Sequence, residues 1–264
     1  MLLAVDIGNT KIAFAVMRGE KIIRIFRMET FLDSKLLKNE AKEILLRISR
    51  TYPHPEGIVI CSVVPDALKI IKAVCRKILM SELFIIGENL KVPIKNKYRK
   101  PRQVGQDRLV CAYAAMKLYG FPAIVIDSGT AVTFDVVNRK GEYEGGIIAP
   151  GIRLSAESLF EKTALLPRVS IRKPKTLIGK DTKGSILSGL FYGYSSLTKG
   201  MIQLLSCAIH PEPVVVMTGG YTQMIRQYIQ KDIDVLDETL VFKGMKLAHD
   251  QRESQRRKIK LNNF

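Results

Sequence analysis

The sequence contains no tryptophan and only three histidines, and none of its four cysteines forms a C-x-x-C pair. Zinc sites in proteins use closely spaced Cys and His ligands, so this composition argues against a zinc-binding protein. Each cysteine stands among mostly apolar residues, which predicts buried, reduced thiols and a cytoplasmic protein. The cysteines are Cys61, Cys75, Cys111 and Cys207.

Long apolar runs are also missing. No stretch of about 18 apolar residues occurs, so we predict no membrane-spanning helix and no membrane partner. The first residues lack a basic start followed by a long apolar run, so we expect no signal peptide. Hydrophobic residues make up 47% of the 264 positions, which is enough for a packed core in one large or two ordinary domains.

Acidic residues are outnumbered, with 25 Asp and Glu against 42 Lys and Arg, which gives a formal net charge of +17. The positive charge is concentrated at positions 89–106 and in the tail at 252–264. Such runs either form solvated faces or attract polyanions such as nucleic acid and ATP. Nucleic-acid-binding segments usually place aromatic residues among the cations, and these runs offer only Tyr98 and Phe264. We therefore do not expect nucleic acid as a partner.

Hydrophobic patterning predicts an α/β fold in which one order of elements occurs twice. The first half reads β-β-β-α-β-α-β, and a similar order restarts after Gly120. We predict two duplicated domains, at 1–119 and 120–264. The predicted strands cover 2–5, 11–17, 22–26, 57–62, 83–86, 123–126, 131–137, 142–148, 214–217 and 233–236. The predicted helices cover 35–48, 65–80, 108–118, 154–163, 185–208, 222–230 and 240–256.

Two short motifs repeat with the predicted domains. Asp6-Ile7-Gly8-Asn9-Thr10 and Asp127-Ser128-Gly129-Thr130 each follow an apolar strand and precede a second one. Chance similarity is the alternative, but the matching order of the elements that follow favours duplication. Two such hairpins on facing edges would form a cleft, where two carboxylates could hold cations beside the same phosphates.

The first motif has the chemistry of a phosphate loop. Gly8 lacks a Cβ, so the backbone can approach a phosphate closely. Backbone N–H groups and the side chains of Asn9, Thr10 and Lys11 can donate hydrogen bonds to phosphate oxygens. Phosphate would repel Asp6, so this carboxylate suits a Mg²⁺ ion held through water. An ordinary hairpin turn is the alternative for this motif taken alone.

Two further segments carry polar groups. Thr218-Gly219-Gly220 follows a buried strand and precedes a helix, where α/β sheets place ligands, although a plain strand-to-helix turn has the same pattern. Gly105-Gln106-Asp107-Arg108 precedes an apolar helix. Asp107 either caps that helix or accepts a proton as a general base in phosphoryl transfer, and spacing alone leaves both open. Arg108 can clamp a carboxylate or a phosphate.

With these motifs the sequence resembles the type III pantothenate kinases, within the superfamily of acetate and sugar kinases, heat-shock ATPases and actin. The most specific matches are Tyr-x2-Pro-x2-Val-Gly-x-Asp-Arg from Tyr98 and Gly-Gly-x-Ile-x-Pro-Gly from Gly145. The resemblance implies two duplicated ribonuclease H-like (actin-like ATPase) domains with a cleft between them. The matching segments are 6–13, 98–108, 127–135, 141–167, 178–193 and 218–220.

The resemblance implies ATP-dependent phosphorylation of pantothenate to 4′-phosphopantothenate, the first step of coenzyme A biosynthesis. It implies Asp107 as the catalytic base, Mg²⁺ with ATP beside Asp6, and K⁺ or NH₄⁺ at Asp127. It also implies a homodimer with the active site at the subunit interface. The residues it assigns to ATP are Asp6, Ile7, Gly8, Asn9, Thr10, Lys11, Ile12, Ala13 and Thr130. The residues it assigns to pantothenate are Tyr98, Gly105, Gln106, Asp107, Arg108 and Thr182.

The chain departs from the family pattern at a few places. Gln106 stands where the family usually has alanine, Lys199 where it usually has an acidic residue, and the basic tail after Asp250 has no counterpart. No acidic residue with an implied catalytic role is lost, which favours an active kinase. The alternatives are a non-catalytic regulatory relative on the same fold, a phosphotransferase for another small molecule, and a basic nucleic-acid binder.

Overall fold

The computed structural model describes residues 1–261 and the side chains as far as Lys258. Phe264 of the basic tail lies outside the described residues. The strands are β1 (Leu2–Ile7), β2 (Lys11–Arg18), β3 (Lys21–Glu29), β4 (Gly57–Ser62), β5 (Leu83–Ile85), β6 (Lys95–Asn96), β7 (Ala123–Ser128), β8 (Ala131–Val137), β9 (Glu142–Pro150), β10 (Val214–Thr218) and β11 (Val235–Leu236). The helices are α1 (Ser34–Thr51), α2 (Pro65–Leu79), α3 (Gln106–Leu118), α4 (Ile152–Glu161), α5 (Thr182–Ala208), α6 (Thr222–Ile229) and α7 (Leu240–Leu261).

The chain forms two compact units. Unit 1 comprises Met1–Ile94, Arg102–Ala114 and the segment from Leu240 onward, and unit 2 comprises Lys95–Pro101 and Ala115–Thr239. The predicted division into 1–119 and 120–264 therefore differs from the units at 95–101, 115–119 and the last helix. Helix α7 belongs to unit 1 because it packs against β1 and β4. The cleft predicted between the domains stays a prediction.

Unit 1 is a five-stranded sheet in the order β3-β2-β1-β4-β5, with helices on both faces. One face of β1 carries Leu3, Val5 and Ile7, which join the core made with α1 and α2. Ala4 lies on the opposite face of β1 and is fully buried, on the side that α7 covers. Since side chains alternate along a strand, Asp6 points to the same face as Ala4.

The sheet of unit 2 repeats that order as β9-β8-β7-β10-β11, and β6 adds a sixth strand beside β9. In unit 1, β1 pairs antiparallel with β2 and parallel with β4. In unit 2, β7 pairs in the same way with β8 and β10. The core of unit 2 joins Ile124, Ile126 and Phe134 to side chains of α4, α5 and α6. The equal strand order is what duplication of one α/β unit predicts, and the α/β fold class is confirmed.

Helix α7 is tied to unit 1 through the start of the basic tail. The Arg252 guanidinium lies 4.6 Å from the ring centre of Phe84 and 3.8 Å from Oε1 of Glu82, and Arg256 lies 4.0 Å from the same carboxylate. The ring of His249, which is only 8% exposed, packs edge-on against Phe84. The first part of the tail is therefore a packed helix surface rather than a free extension.

The predicted state of the cysteines holds for three of the four. Cys61, Cys75 and Cys111 are buried and free, while Cys207 is free but exposed near the end of α5. Burial raises the pKa of Cys75 to about 12, so this thiol stays neutral. Among the helices described, none has the length and apolar character needed to cross a membrane.

Candidate active site

The loop between β1 and β2 is a tight hairpin end, as its glycine-containing sequence predicts. Ile7 pairs with Ile12, and the Gly8 N–H donates to the carbonyl of Lys11 at 3.0 Å. Thr30 holds the loop from the far side. Its N–H donates to the carbonyl of Thr10 at 2.9 Å and its hydroxyl donates to the carbonyl of Gly8 at 2.7 Å.

Thr30 was not predicted as a site residue. It reaches the loop only because β2 pairs with β3, which brings it there from 20 positions away in sequence (30 minus 10). Of the residues that the resemblance assigns to ATP, Ile7 and Ile12 are fully buried. Their side chains anchor the hairpin in the core, so only their backbone groups are available to a ligand. Asn9 and Lys11 are exposed.

Asp107 lies inside the first turn of α3, which begins at Gln106 rather than at the predicted residue 108. Its Oδ1 accepts a hydrogen bond from the N–H of Arg108 at 2.9 Å. A Cβ placed on Gly105 would lie 2.5 Å from the same oxygen. The carboxylate thus folds back over Gly105, and any larger residue there would displace it.

Cys61 is a buried thiol of unit 1 that lies next to the strand of the phosphate loop. Cys61 is paired with Asp6 in the parallel register of β1 and β4. Burial contributes most to the raised pKa of this thiol, and the charges of Asp6 and Asp107 raise it further. Cys61 therefore stays a neutral thiol and does not compete with Asp6 for a cation.

Gln106, the departure from the family pattern, is turned toward the loop that follows β5. A Cβ placed on Gly87 would lie 2.8 Å from Cδ and 3.0 Å from Cγ of Gln106. Gly87 has a φ of +85°, which favours glycine, and its missing side chain leaves the space that Gln106 fills. The longer side chain is thus accommodated by packing on Gly87, and the start of α3 gains a contact that alanine could not make.

The second hairpin, between β7 and β8, is enclosed by two glycines from other segments of unit 2. A Cβ on Gly219, whose φ is +100°, would overlap Oδ1 of Asp127 and the backbone N of Ser128. A Cβ on Gly151 would overlap the carbonyl oxygen of Thr130. The strand-end segment 218–220 therefore lies directly against the cation-binding candidate.

That third segment is also bonded to the hairpin. The N–H of Tyr221, just after the glycine pair, donates to the carbonyl of Ser128 at 3.1 Å. Thr222 follows this turn as the first residue of α6, and its hydroxyl donates to the carbonyl of Thr218 at 2.8 Å. The predicted ligand-binding turn and the Asp127 motif therefore lie next to each other in unit 2.

The pantothenate-binding candidates of unit 2 lie at element ends. Tyr98 follows β6, and its N–H donates to Oδ1 of Asn96 at 2.9 Å. Thr182 is the first residue of α5, where Asp181 caps the helix by accepting from the N–H of Gly184 at 2.7 Å. Within the basic run, Lys95 is paired with Glu142 at 2.6 Å. The pKa of the Glu142 carboxyl is lowered by its hydrogen bond from Lys95.

No group of three or more His, Cys, Asp or Glu side chains converges on a metal site in the part of the chain that the structure describes. A site for a hard cation would therefore use one carboxylate together with backbone oxygens, water or phosphate, which is common for Mg²⁺. The sequence predicts Asp6 and Asp127 for this role.

Solved structures share the fold. A candidate Baf family transcriptional activator from Campylobacter jejuni superposes with a TM-score of 0.59 at 19% identity, covering 96% of this chain and 99% of the other. A candidate 2-dehydro-3-deoxygalactonokinase from Sinorhizobium meliloti gives 0.57 at 12% identity, covering 94% and 98%. At these identities the likeness concerns the fold alone. The duplicated sheets and their hairpin loops give the chain the actin-like fold class that the resemblance implies.

Sequence comparison identifies the family. A family model described as type III pantothenate kinase matches residues 2–204. A type III pantothenate kinase from Halalkalibacterium halodurans is 38% identical over 256 residues, covering 94% of this chain and 98% of the relative. One from Persephonella marina is 42% identical over 248 residues, covering 93% and 96%. The chain belongs to the type III pantothenate kinase family.

Membership of this family makes the chain a phosphotransferase. The hypothesis of a pantothenate kinase in coenzyme A biosynthesis is confirmed at that level, and the alternative of a non-catalytic regulatory relative receives no support from these relatives. The individual roles of the site residues remain predictions.

Proposed function

We propose that the protein transfers the γ-phosphate of ATP to the 4′-hydroxyl of pantothenate with Asp107 as the general base. The observation that carries this role is the position of Asp107 in the first turn of α3, where its carboxylate folds over Gly105 in the unit that also contains the phosphate loop. Asp107 is partly exposed at the start of α3, so a substrate hydroxyl can reach its carboxylate. The base takes the hydroxyl proton as the oxygen attacks phosphorus.

The hairpin between β1 and β2 is the proposed cradle for the phosphates. The exposed side chains of Asn9 and Lys11 can donate to phosphate oxygens, and the loop is held rigid by Thr30. Such rigidity favours catalysis because the donors need no reorganisation during the reaction. Mg²⁺ bound with ATP would supply positive charge to the phosphates, and Asp6 would hold the ion through water.

Pantothenate carries a carboxylate, and two features suit it. Arg108 presents a planar guanidinium that can bind a carboxylate through two hydrogen bonds. Thr182 opens the 27-residue helix α5, where backbone N–H groups and the helix dipole favour an anion. Tyr98 completes the proposed set as an amphipathic contact. An acceptor without the carboxylate should therefore be a poor substrate.

We predict activation by K⁺ or NH₄⁺ through Asp127. Oδ1 of Asp127 lies so close to the backbone of Gly219 that a Cβ at 219 would overlap it, so this carboxylate is packed at the carboxyl ends of β7 and β10. In a coupled ADP-release assay with pantothenate, we expect K⁺ or NH₄⁺ to raise the rate over Na⁺ at equal ionic strength. Asp127→Asn should lose most of that difference.

The same assay separates the parts of this proposal. Equal rates in Na⁺ and K⁺ would remove the monovalent-cation role of Asp127 and leave the kinase assignment standing. ADP release that occurs with another small alcohol but not with pantothenate would favour a different phosphotransferase on this scaffold.

We also propose that the protein is a homodimer that works in the cytoplasm, where ATP is supplied. Unit 2 leaves large apolar side chains in solvent, including Leu165 at 90%, Ile178 at 73% and Leu177 at 64% exposed. Exposed apolar surface of this kind is typical of an interaction site. Sedimentation equilibrium should give about twice the 29.7 kDa chain mass, and Leu177→Asp combined with Ile178→Asp should shift it toward the monomer. A monomeric wild-type protein would contradict the proposal.

A further inference from the structure

The ring of Tyr98 lies on the backbone of Gly145. A Cβ placed on Gly145 would lie 3.3 Å from Cδ2 and 3.4 Å from Cε2 of Tyr98. These distances are at the tight end of van der Waals contact, so the ring rests on a surface that only glycine leaves flat. Gly145 also has a φ of +137°, a conformation that other residues rarely adopt.

A β-bulge produces this surface. Val136 of β8 pairs with Gly145, whereas the next residue, Val137, pairs with Tyr143. Glu144 is therefore the extra residue of β9, and the strand bends where it passes Tyr98. Bulges of this kind commonly re-aim a side chain near a functional site.

A buried polar pair fixes the bulge. Tyr143 is fully buried and donates its hydroxyl hydrogen bond to Oδ1 of Asp135 at 2.7 Å, and Asp135 is only 1% exposed. The hydroxyl of Thr133 donates to the other carboxylate oxygen at 3.1 Å. Because an unsatisfied carboxylate in this position would be costly, the pair holds β9 in one register against β8.

The loop that carries Tyr98 is attached to the same strand. Asn96 of β6 pairs with Tyr143, and the N–H of Lys97 donates to the carbonyl of Tyr143 at 2.8 Å. The Asn96 side chain then accepts from the N–H of Tyr98 at 2.9 Å and donates to the carbonyl of Pro101 at 3.3 Å. Both the ring of Tyr98 and the backbone of its loop thus depend on the position of Tyr143 and Gly145.

We propose that Gly145 and the buried Tyr143–Asp135 pair are positioning residues for pantothenate binding, which act by seating the ring of Tyr98. The proposal rests on the pantothenate contact proposed for Tyr98 above. Gly145 and the Tyr143–Asp135 pair, called the seat below, belong to unit 2, whereas the proton acceptor Asp107 belongs to unit 1. We therefore expect the seat to act on pantothenate affinity rather than on the chemical step. The sequence motifs alone do not separate this role of Gly145 from a purely structural one.

Kinetics of Gly145→Ala test the seat. We expect KM for pantothenate to rise by roughly tenfold, the change that about 1.4 kcal/mol of lost binding produces, with kcat and KM for ATP nearly unchanged. Gly141→Ala is the matched control. Gly141 belongs to the same hairpin and has a φ of +70°, and its Cβ would meet Met116 and Phe121 instead of Tyr98. This control also introduces a Cβ at a positive φ of the same hairpin, with less strain than at +137°, and should not raise KM.

A double-mutant cycle with Tyr98→Ala decides whether the effect passes through the ring. Tyr98→Ala alone should raise KM for pantothenate, and Gly145→Ala should add nothing in that background. Should Gly145→Ala not fold, Tyr143→Phe replaces it, because this change removes only the hydroxyl. We expect Tyr143→Phe to raise the same KM by roughly fivefold, again without effect beside Tyr98→Ala.

The outcomes separate the two proposals. If Tyr98→Ala leaves KM unchanged, Tyr98 has no part in pantothenate binding, and the seat is overturned with it. Two results would overturn the seat alone, given that Tyr98→Ala raises KM for pantothenate. In the first, Gly145→Ala and Tyr143→Phe leave this KM unchanged. In the second, their effects on this KM add in full to that of Tyr98→Ala. An equal rise in KM for Gly141→Ala would show a general structural effect and would also overturn it.

Discussion

Replacing the carboxylate of Asp107 by an amide should lower kcat by about 10²-fold or more, the scale of a lost general base. Asp107→Asn keeps the size of the side chain and the oxygen that accepts from the Arg108 N–H, so α3 should form as before. The amide cannot take the proton of the pantothenate hydroxyl at neutral pH. Steady-state ADP release at saturating ATP and pantothenate measures the loss, and a thermal melt checks the fold.

Asp66→Asn is the matched control, since Asp66 also lies in the first turn of a helix of unit 1, is exposed, and forms an ion pair with Lys69 at 3.0 Å. It should keep wild-type turnover. Near wild-type kcat in Asp107→Asn would falsify the general-base role, because a residue that only stabilises the start of α3 affects melting temperature and leaves turnover intact.

Gly219→Ala should abolish most activity as well, by about 10²-fold, through the Asp127 hairpin. The new Cβ would overlap Oδ1 of Asp127 and the N of Ser128, and both belong to a hairpin that cannot move away freely because Gly151 packs on its other end. A displacement of about 1 Å in a group that positions substrate is enough for a loss of this size. The K⁺ concentration needed for half-maximal activation should rise in parallel.

Gly120→Ala separates this contact from backbone strain. Gly120 has nearly the same φ, +103° against +100° for Gly219, and its Cβ would meet no atom within 4 Å. Gly120→Ala should lose about 1–3 kcal/mol of stability from backbone strain alone, and Gly219→Ala should lose more because its Cβ also overlaps Asp127 and Ser128. Only Gly219→Ala should lose activity and K⁺ response. Equal activities in the two variants would show that the contact with Asp127 has no catalytic consequence.

The sequence was sufficient for the order of elements and for the residues at the ends of the key strands. Apolar alternation and helical spacing are local properties, so the β-β-β-α-β-α-β order of the first half could be predicted, and so could the similar order of the second half with its extra helix. The two Asp-containing hairpins could be located for the same reason, because each follows an apolar strand directly. Even the bounds were close, as with β8, predicted at 131–137 and found at Ala131–Val137.

What depends on pairing between distant segments could not be predicted. Strand β6 has only two residues and exists through its parallel pairing with β9, about 47 positions further on (142 minus 95). The assignment of α7 to unit 1 depends on packing against strands made at the start of the chain. Thr30 and Gly87 each contact a site segment through space, and no spacing rule in the sequence relates them to it.

The return of α7 to unit 1 has a consequence for synthesis on the ribosome. Every residue of unit 2 has been made once Thr239 is added, whereas unit 1 still lacks the helix that covers β1 and β4. Domains usually complete their folding in the order of their synthesis, from the N-terminus onward. Here the order is reversed, and the phosphate loop, which was made first, acquires its finished surroundings last.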